Sequence, residues 1–334
     1  MRKASDERFL LRAAELARKG EGHTRPNPPV GAVAVKGGKI IGEGWHCRCG
    51  GDHAEVAAIK DARRRGNDPA GCELFVTLEP CSRPGRVGAC TDAIAAAGIR
   101  RVVYACGDPN PVNRGRAARI LRKAGIECVK VPLPEASEIL RPFAKHVTTG
   151  LPFVTVKIAM SLDGRICDVS GDAKWISGAK TRRLTGGLRE RVDAIMVGAE
   201  TVRRDDPSLL SHGARNDDLI RVVVSASGNL PESAQVFADG KNPTLVFDAA
   251  GGLEDMLRQL ADRGVMWVLC EGGLKLARAL ADAGLVDEWI TVLAPSVIGG
   301  LPVGGRRRFK ADGEVVRCDG DLVAAYRAVR GDRG

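Results

Sequence analysis

His53-Ala54-Glu55, followed by Pro80-Cys81 and then Cys90, brings one imidazole, two thiols and one further carboxylate into a single stretch of chain. Zinc in catalytic centres keeps three protein ligands and one open position, and two cysteines with one histidine form a known ligand set. His53, Cys81 and Cys90 are therefore the expected ligands of Zn2+. The fourth corner is left for water, which zinc acidifies toward neutrality. Glu55 lies two residues from His53, so at a helix start it points away from the ligand direction yet stays near that water, which suits a proton carrier. Cys47-Arg48-Cys49, with His46 and His53 nearby, is the rival cluster for a structural ion, though its spacing fits the usual ligand intervals less well. His23, His146 and His212 read individually as surface or satisfied polar residues.

The elements that must carry these groups follow from periodicity. Helical spacing predicts a helix over Ser5–Lys19, stopped by Gly20 and Gly22. Val30–Val35 and Lys39–Ile41 read as a hairpin turned by Gly37-Gly38. Helices over 54–65, 91–97 and 116–123 alternate with strands over 73–77, 101–105 and 127–131. His53 and Glu55 then fall where one helix begins, Cys81 follows a strand, and Cys90 opens the next helix. Helix N-termini lower a thiol's pKa and favour the thiolate that zinc requires.

Pro132 and Pro134 punctuate the pattern, and a new strand begins at Phe153. Further strands are expected over 194–197, 220–224, 244–247, 265–270 and 289–293. At 334 residues two domains are the prior, placed at 1–148 and 149–334, both α/β. No apolar run approaches the roughly 20 residues that cross a bilayer, and no signal core opens the chain, so a cytoplasmic location is expected, with no membrane partner. Ten cysteines then read as thiols and ligands rather than a disulfide framework, with Cys72, Cys106, Cys128, Cys167 and Cys270 as small hydrophobes. The formal charge of +10 is compatible with nucleic acid or with phosphorylated small molecules. Aromatics at 4%, with only Tyr104 and Tyr326 as tyrosines, weigh against the stacking surface that a nucleic-acid-editing zinc deaminase would need.

Thr24-Arg25-Pro26-Asn27-Pro28-Pro29-Val30-Gly31-Ala32, His53-Ala54-Glu55-Val56, Thr77-Leu78-Glu79-Pro80-Cys81-Ser82 and Asp108-Pro109-Asn110-Pro111 occur in this order. Lys157-Ile158-Ala159-Met160-Ser161-Leu162-Asp163-Gly164, Lys174-Trp175-Ile176-Ser177, Asp205-Asp206-Pro207 and Glu271-Gly272-Gly273 follow. Over nearly its whole length the chain resembles the bacterial bifunctional deaminase-reductases of riboflavin biosynthesis, whose zinc cysteines are spaced as here. The resemblance implies a cytidine-deaminase-like three-layer domain followed by a dihydrofolate-reductase-like domain. It implies zinc-dependent deamination of a diamino-hydroxy-pyrimidine bearing a phosphoribosylamino group, then NADPH-dependent reduction of the ribosyl to the ribityl group. A phosphorylated pyrimidine, not nucleic acid, is then the partner, and a homo-oligomer stays open.

By the same resemblance Asn27 and His46 meet the pyrimidine, and Asp108 and Asn110 the ribose and phosphate end. Arg83 and Arg86, beside the metal cysteines, are candidates for the phosphate, although Arg83 stands where the family usually has His. On spacing alone, Asp108-Pro109-Asn110-Pro111 is equally a good turn.

No G-x-G-x-x-G and no P-loop is present, so nicotinamide binding rests on the likeness. Ala159, Trp175, Thr201, Asp205 and Gly273 fall at the family's cofactor positions, and Arg189, Leu209 and Glu271 at its substrate positions. His212 stands where the family presents Arg to the substrate phosphate, and Ala173 replaces a Ser. Lys157 and Glu271 are the matched groups that could steady charge as hydride reaches the sugar carbon. Asp163 reads equally well as a turn residue.

Overall fold

Two compact units divide the chain, Met1–Gly150 and Leu151–Gly334. The structure, a computed structural model, describes residues 2–83, 88–168, 176–211, 218–299, 309–318 and 320–328. Arg86, Ala173, Trp175 and His212 lie outside the described residues.

The first unit runs α1 (Arg2–Arg18), β1 (Gly31–Lys36), β2 (Lys39–Trp45), α2 (Ala54–Arg64), β3 (Glu73–Leu78), α3 (Cys90–Ala96), β4 (Arg101–Cys106), α4 (Arg116–Lys123), β5 (Glu127–Lys130) and α5 (Pro134–Thr149). Its sheet has the order β2-β1-β3-β4-β5, antiparallel through β2, β1 and β3 and parallel from β3 to β5. Successive strand side chains point to opposite faces, and the core obeys that period. Ala32, Ala34, Leu74, Val76 and Val102 pack on Ala58, Ile59, Ala62, Ile94 and Leu121 of α2, α3 and α4. Val33, Val35, Phe75, Val103 and Ala105 pack on Leu10, Ala13, Ala17 and Ile139 of α1 and α5. The result is three layers. The Gly37-Gly38 turn has both residues at positive φ, 58° and 77°, as a tight hairpin requires.

One element runs against expectation. Pro132 and Pro134 read as punctuation, but Pro134 opens α5, where its missing N–H would have had no partner anyway. That helix turns Phe143, His146 and Val147 toward the site described below.

α1 lies so close to β1 that a Cβ on Gly31 would stand 2.0 Å from the Ala13 carbonyl oxygen and 2.6 Å from the Ala17 nitrogen. Backbone atoms cannot rotate aside, so Gly31→Ala is expected to cost on the order of 2–3 kcal/mol, the upper part of the overpacking range. A clearly lowered thermal midpoint of the full chain would show it; an unchanged midpoint would refute the close approach.

The second unit runs β6 (Phe153–Ser161), α6 (Ala179–Gly186), β7 (Ala194–Gly198), α7 (Ala199–Asp205), β8 (Ile220–Ser225), α8 (Gln235–Ala238), β9 (Thr244–Asp248), α9 (Leu253–Asp262), β10 (Trp267–Cys270), α10 (Leu274–Asp282), β11 (Glu288–Ala294), β12 (Phe309–Cys318) and β13 (Asp321–Ala328). The strand order is β12-β13-β11-β6-β10-β7-β8-β9, with β13 antiparallel to both of its neighbours and every other pair parallel. Both faces of the parallel part are covered, by α9 and α10 on one side and by Val202, Leu209 and Val236 on the other. Burial on both faces is why these strands read as continuous apolar runs. The β12–β13 pair was not anticipated from the sequence. Because β10 inserts between β6 and β7, strand order reverses there, and in open α/β sheets ligands bind beyond the carboxyl ends of such strands.

Candidate active sites

In the first unit three predicted ligands meet. His53, immediately before α2, sets its Nδ1 3.2 Å from the Cys90 Sγ and 3.5 Å from the Cys81 Sγ, and the three ligand atoms all lie within 4.8 Å of one another. A tetrahedral zinc with Zn–N of ~2.0 Å and Zn–S of ~2.3 Å has N···S edges of roughly 3.6 Å, so the spacing suits one ion. Among the described residues no other group of three such side chains converges. The rival cluster at Cys47 and Cys49 is thereby set aside: His46 is turned away into other hydrogen bonds, and Cys47 is exposed, donating to the Trp45 carbonyl.

The electrostatics of the trio also call for a cation. The Cys81 sulfur accepts the backbone N–H of Cys90 at the start of α3, at 3.3 Å. A hydrogen bond from the Cys90 thiol, opposed by burial and helped by His53, holds Cys81 well below the ordinary thiol value. Cys90, donating to that thiolate and buried, is pushed far upward. Two thiolates cannot coexist in this space unless a positive ion sits between them, and a metal site deprotonates its coordinating thiols.

Glu55, 3% exposed, lies in the first turn of α2 and lines the same cavity. Burial, followed by the nearby Cys81 charge, pushes its carboxyl up to about 7. A proton carrier works best with a pKa near the operating pH.

The cavity, of about 290 Å³, is lined by predicted residues Asn27, His46, His53, Glu55, Cys81, Asp108 and Asn110. His46 donates Nδ1–H to the Asp52 carbonyl at 2.9 Å, which leaves Nε2 to accept from Asn27 Nδ2 at 3.1 Å. Burial holds His46 below the ordinary histidine value, in keeping with a neutral ring of this tautomer. Asp108 and Asn110 do form a turn, with Asp108 accepting the Asn110 N–H at 2.8 Å, and both also line the cavity. Arg83 is exposed and is not among the lining residues. Sequence reasoning passed over Glu79, Asn113 and Phe143 and read His146 only as a surface or satisfied polar residue, yet all four line the cavity. Only Glu79 carried a signal, its place between Leu78 and Pro80-Cys81.

In the second unit Glu271 follows β10 and is gripped by Arg189, Nη2 at 2.5 Å and Nε at 3.0 Å from Oε2, with Lys157 Nζ 3.7 Å from Oε1. Arg189 also donates to the Leu210 carbonyl at 3.1 Å. Leu209, at φ 53° and 2% exposed, buries its side chain in the core, so its backbone is what it can present to a substrate. Gly273 precedes α10 and donates its N–H to Thr201 Oγ1 of α7 at 3.3 Å. A Cβ on Gly272 would lie 3.1 Å from the Gly198 nitrogen and 3.3 Å from the Val197 Cα. The turns after β7 and β10 thus pack backbone to backbone, and two helix N-termini open side by side, a setting that suits the phosphates of a dinucleotide. Ala159 lies on β6 and Asp205 ends α7. Asp163 sits in the turn its sequence context offered, closed by the Gly164 N–H to the Ser161 carbonyl at 2.9 Å, and its carboxylate also accepts the distant Gly299 and Ile298 N–H groups at 2.8 and 3.3 Å.

Comparison with known proteins agrees across both units. Residues 3–106 match the family model for the cytidine and deoxycytidylate deaminase zinc-binding region, and residues 152–319 match that for the RibD C-terminal domain. Riboflavin biosynthesis protein RibD of Bacillus amyloliquefaciens is 39% identical, the match covering 88% of this chain and 86% of the relative. RibD of Escherichia coli is 35% identical, over 88% of this chain and 89% of the relative. The Thermotoga maritima diaminohydroxyphosphoribosylaminopyrimidine deaminase/5-amino-6-(5-phosphoribosylamino)uracil reductase superposes with a TM-score of 0.91 at 35% identity, covering 98% of this chain and 100% of that one. Acinetobacter baumannii RibD gives a TM-score of 0.85 at 32% identity with the same coverage. The first unit is cytidine-deaminase-like and the second dihydrofolate-reductase-like, as the resemblance implied. With both halves matched in one order, the chain belongs to the RibD family of riboflavin biosynthesis proteins.

Proposed function

We propose that this chain catalyses two consecutive steps of riboflavin biosynthesis, with residues 1–148 as the deaminase and residues 149–334 as the NADPH-dependent reductase. The observation that carries the reading is the convergence of His53, Cys81 and Cys90 beside the buried Glu55, in a chain whose relatives match both halves. The substrate of the first step is 2,5-diamino-6-(5-phosphoribosylamino)pyrimidin-4-one.

His53, Cys81 and Cys90 would hold the zinc, which would supply Lewis acidity and lower the pKa of a nearby water toward neutrality. Glu55 takes one proton from the attacking water and gives it to the ring nitrogen beside the carbon that bears the amine, then takes the proton of the hydroxyl now on that carbon and gives it to the amine, which leaves as ammonia while the carbonyl forms. Asn27 and the neutral His46 hold the pyrimidine edge, and Asp108 and Asn110 the ribose end. The phosphate falls to Arg83 and Arg86, by charge and by nearness in sequence to Cys81.

NADPH supplies the hydride of the second step. Gly273, Thr201, Asp205, Ala159 and Trp175 are assigned to it, and the paired helix starts support the phosphate end. Arg189, Glu271 and the Leu209 backbone receive the sugar, with His212 toward its phosphate. Lys157 and Glu271, 3.7 Å apart, are assigned to steady charge as hydride reaches the sugar carbon that bears the amine, while that carbon's bond to the ring oxygen opens and the oxygen takes up a proton.

Among the described residues no helix is long and apolar enough to cross a membrane. The reading places both steps in the cytoplasm, where thiols stay reduced and available to zinc. It has no role for nucleic acid, and a homo-oligomer is compatible with it.

The test uses the zinc-loaded full chain and the phosphoribosylamino-pyrimidine. Ammonia is expected without NADPH, and NADPH absorbance should fall only once both are present. Ammonia release without any NADPH oxidation would remove the reductase half of the proposal. Deamination of a free base or RNA oligonucleotide, with none of this substrate, would favour the editing alternative.

A further inference from the structure

We propose that Glu79 is a positioning residue of the first site: its carboxylate fastens the segment from Asp108 to Ala117 against the cavity and so sets how tightly the pyrimidine substrate is held. The inference rests on the reading of that cavity as the pyrimidine site.

Glu79 ends just beyond β3, two residues before the ligand Cys81, and is 3% exposed. Its Oε2 accepts the N–H of Asp108 at 3.2 Å and of Gly115 at 3.0 Å, and its Oε1 accepts the N–H of Ala117 at 3.2 Å. The last two donors stand at the open start of α4, where no intrahelical partner exists. Gly115, the residue before that helix, sits at φ 72° and offers no capping side chain. A carboxylate from a distant strand end does that work instead, at the helix end whose polarity favours negative charge.

Between the anchored amides the chain is tied to itself. Asp108 accepts the Asn110 N–H, Asn110 Oδ1 accepts the Val112 N–H at 3.1 Å, and Arg114 donates to the Asp108 carbonyl at 3.3 Å. Asp108, Asn110 and Asn113 all line the cavity. One carboxylate therefore holds both ends of a segment that carries three cavity residues. A glutamine of the same shape has one accepting oxygen and one donating nitrogen, so at least one of the three N–H groups would face another donor.

The test compares zinc-loaded full-length wild type with Glu79→Gln. The variant should keep its zinc and its reductase turnover, with kcat for ammonia release within about threefold and KM for the phosphoribosylamino-pyrimidine raised about tenfold, the scale of one unanswered buried donor. Hydrogen exchange at the Asp108, Gly115 and Ala117 amides should speed up about tenfold or more, while the last turn of α4 keeps its wild-type rates. Glu79→Asp, which keeps the charge but shortens the reach, should fall between the two. Unchanged KM would overturn the proposal. So would a raised KM with unchanged exchange, since Glu79 would then touch the substrate itself, and so would loss of zinc together with kcat, which would make it a support of Cys81. A wild-type chain that releases no ammonia from this substrate would strike the reading of the cavity instead, and the exchange rates would still decide whether Glu79 holds the segment.

Discussion

Glu55→Gln is expected to keep one zinc per chain and to lose ammonia release by about 10²–10⁴-fold, the usual contribution of a positioned proton carrier. The glutamine fills the same buried space beside Cys90 but can neither take a proton from water nor return one to the leaving amine. Reduction of separately supplied deaminated substrate should proceed at the wild-type rate, because the reductase groups lie in the other unit. Zinc content, ammonia release and NADPH oxidation measured on one preparation check all three statements. Unchanged ammonia release would remove Glu55 from the chemistry and leave the buried carboxyl unexplained. Zinc loss would mean that Glu55 acts as a ligand rather than a carrier.

Glu55, like the ligands, was legible because the chemistry dictates residue types at element ends. An imidazole at a helix start, a thiol after a strand and a thiol opening the next helix can be read from periodicity and spacing alone, and the structure brings them within 4.8 Å. The same reasoning failed for the far wall of the cavity. α5 was hidden by Pro132 and Pro134, which stop a pattern as readily as they start one, so Phe143 and His146 had no element to carry them. Glu79 was visible as a letter in a motif but not as a clamp, since its partners are backbone amides on a later segment, and backbone donors leave no mark in a sequence.

The second unit shows the limit from another side. Its parallel strands were found by their apolar runs, while β12, interrupted by Lys310, Asp312, Glu314 and Arg317, and β13, flanked by Asp321 and Arg327, gave no comparable signal. Lys157, Arg189 and Glu271 came from resemblance, not from pattern, because they are gathered by strand order. β6, β7 and β10 are adjacent in the sheet and far apart in the chain. No local rule joins them.

Arg221→Met should destabilise the second unit by about 3 kcal/mol, the lower end of the range for stripping one partner from a buried ion pair. Arg221, on β8, is 2% exposed and meets both oxygens of Asp239, at 2.7 and 2.9 Å. It also donates to the carbonyls of Ser208, at 3.2 Å, and of Asn242. The lower end applies because Asp239 keeps some contact with water. Hydrogen bonding from Arg221 holds the Asp239 carboxyl below its ordinary range. A lowered carboxylate contributes fully above the unfolded value, about 3.9, and its contribution disappears as pH falls through the lower folded value. The wild-type advantage over Arg221→Met should therefore hold from neutral pH down to about 4 and narrow below it. Urea unfolding at several pH values checks this, and an advantage that grows in acid would contradict it. Adding Asp239→Leu should recover much of the stability, since no charge is then left without its partner. It should not recover reduction. The Ser208 carbonyl would still lack its donor, and Ser208 leads into the Leu209–Leu210 backbone that Arg189 grips while it holds Glu271. A double variant as stable as wild type, slow in NADPH oxidation and normal in ammonia release, would separate what Arg221 does for the fold from what it does for the site. Full recovery of reduction would confine it to the fold.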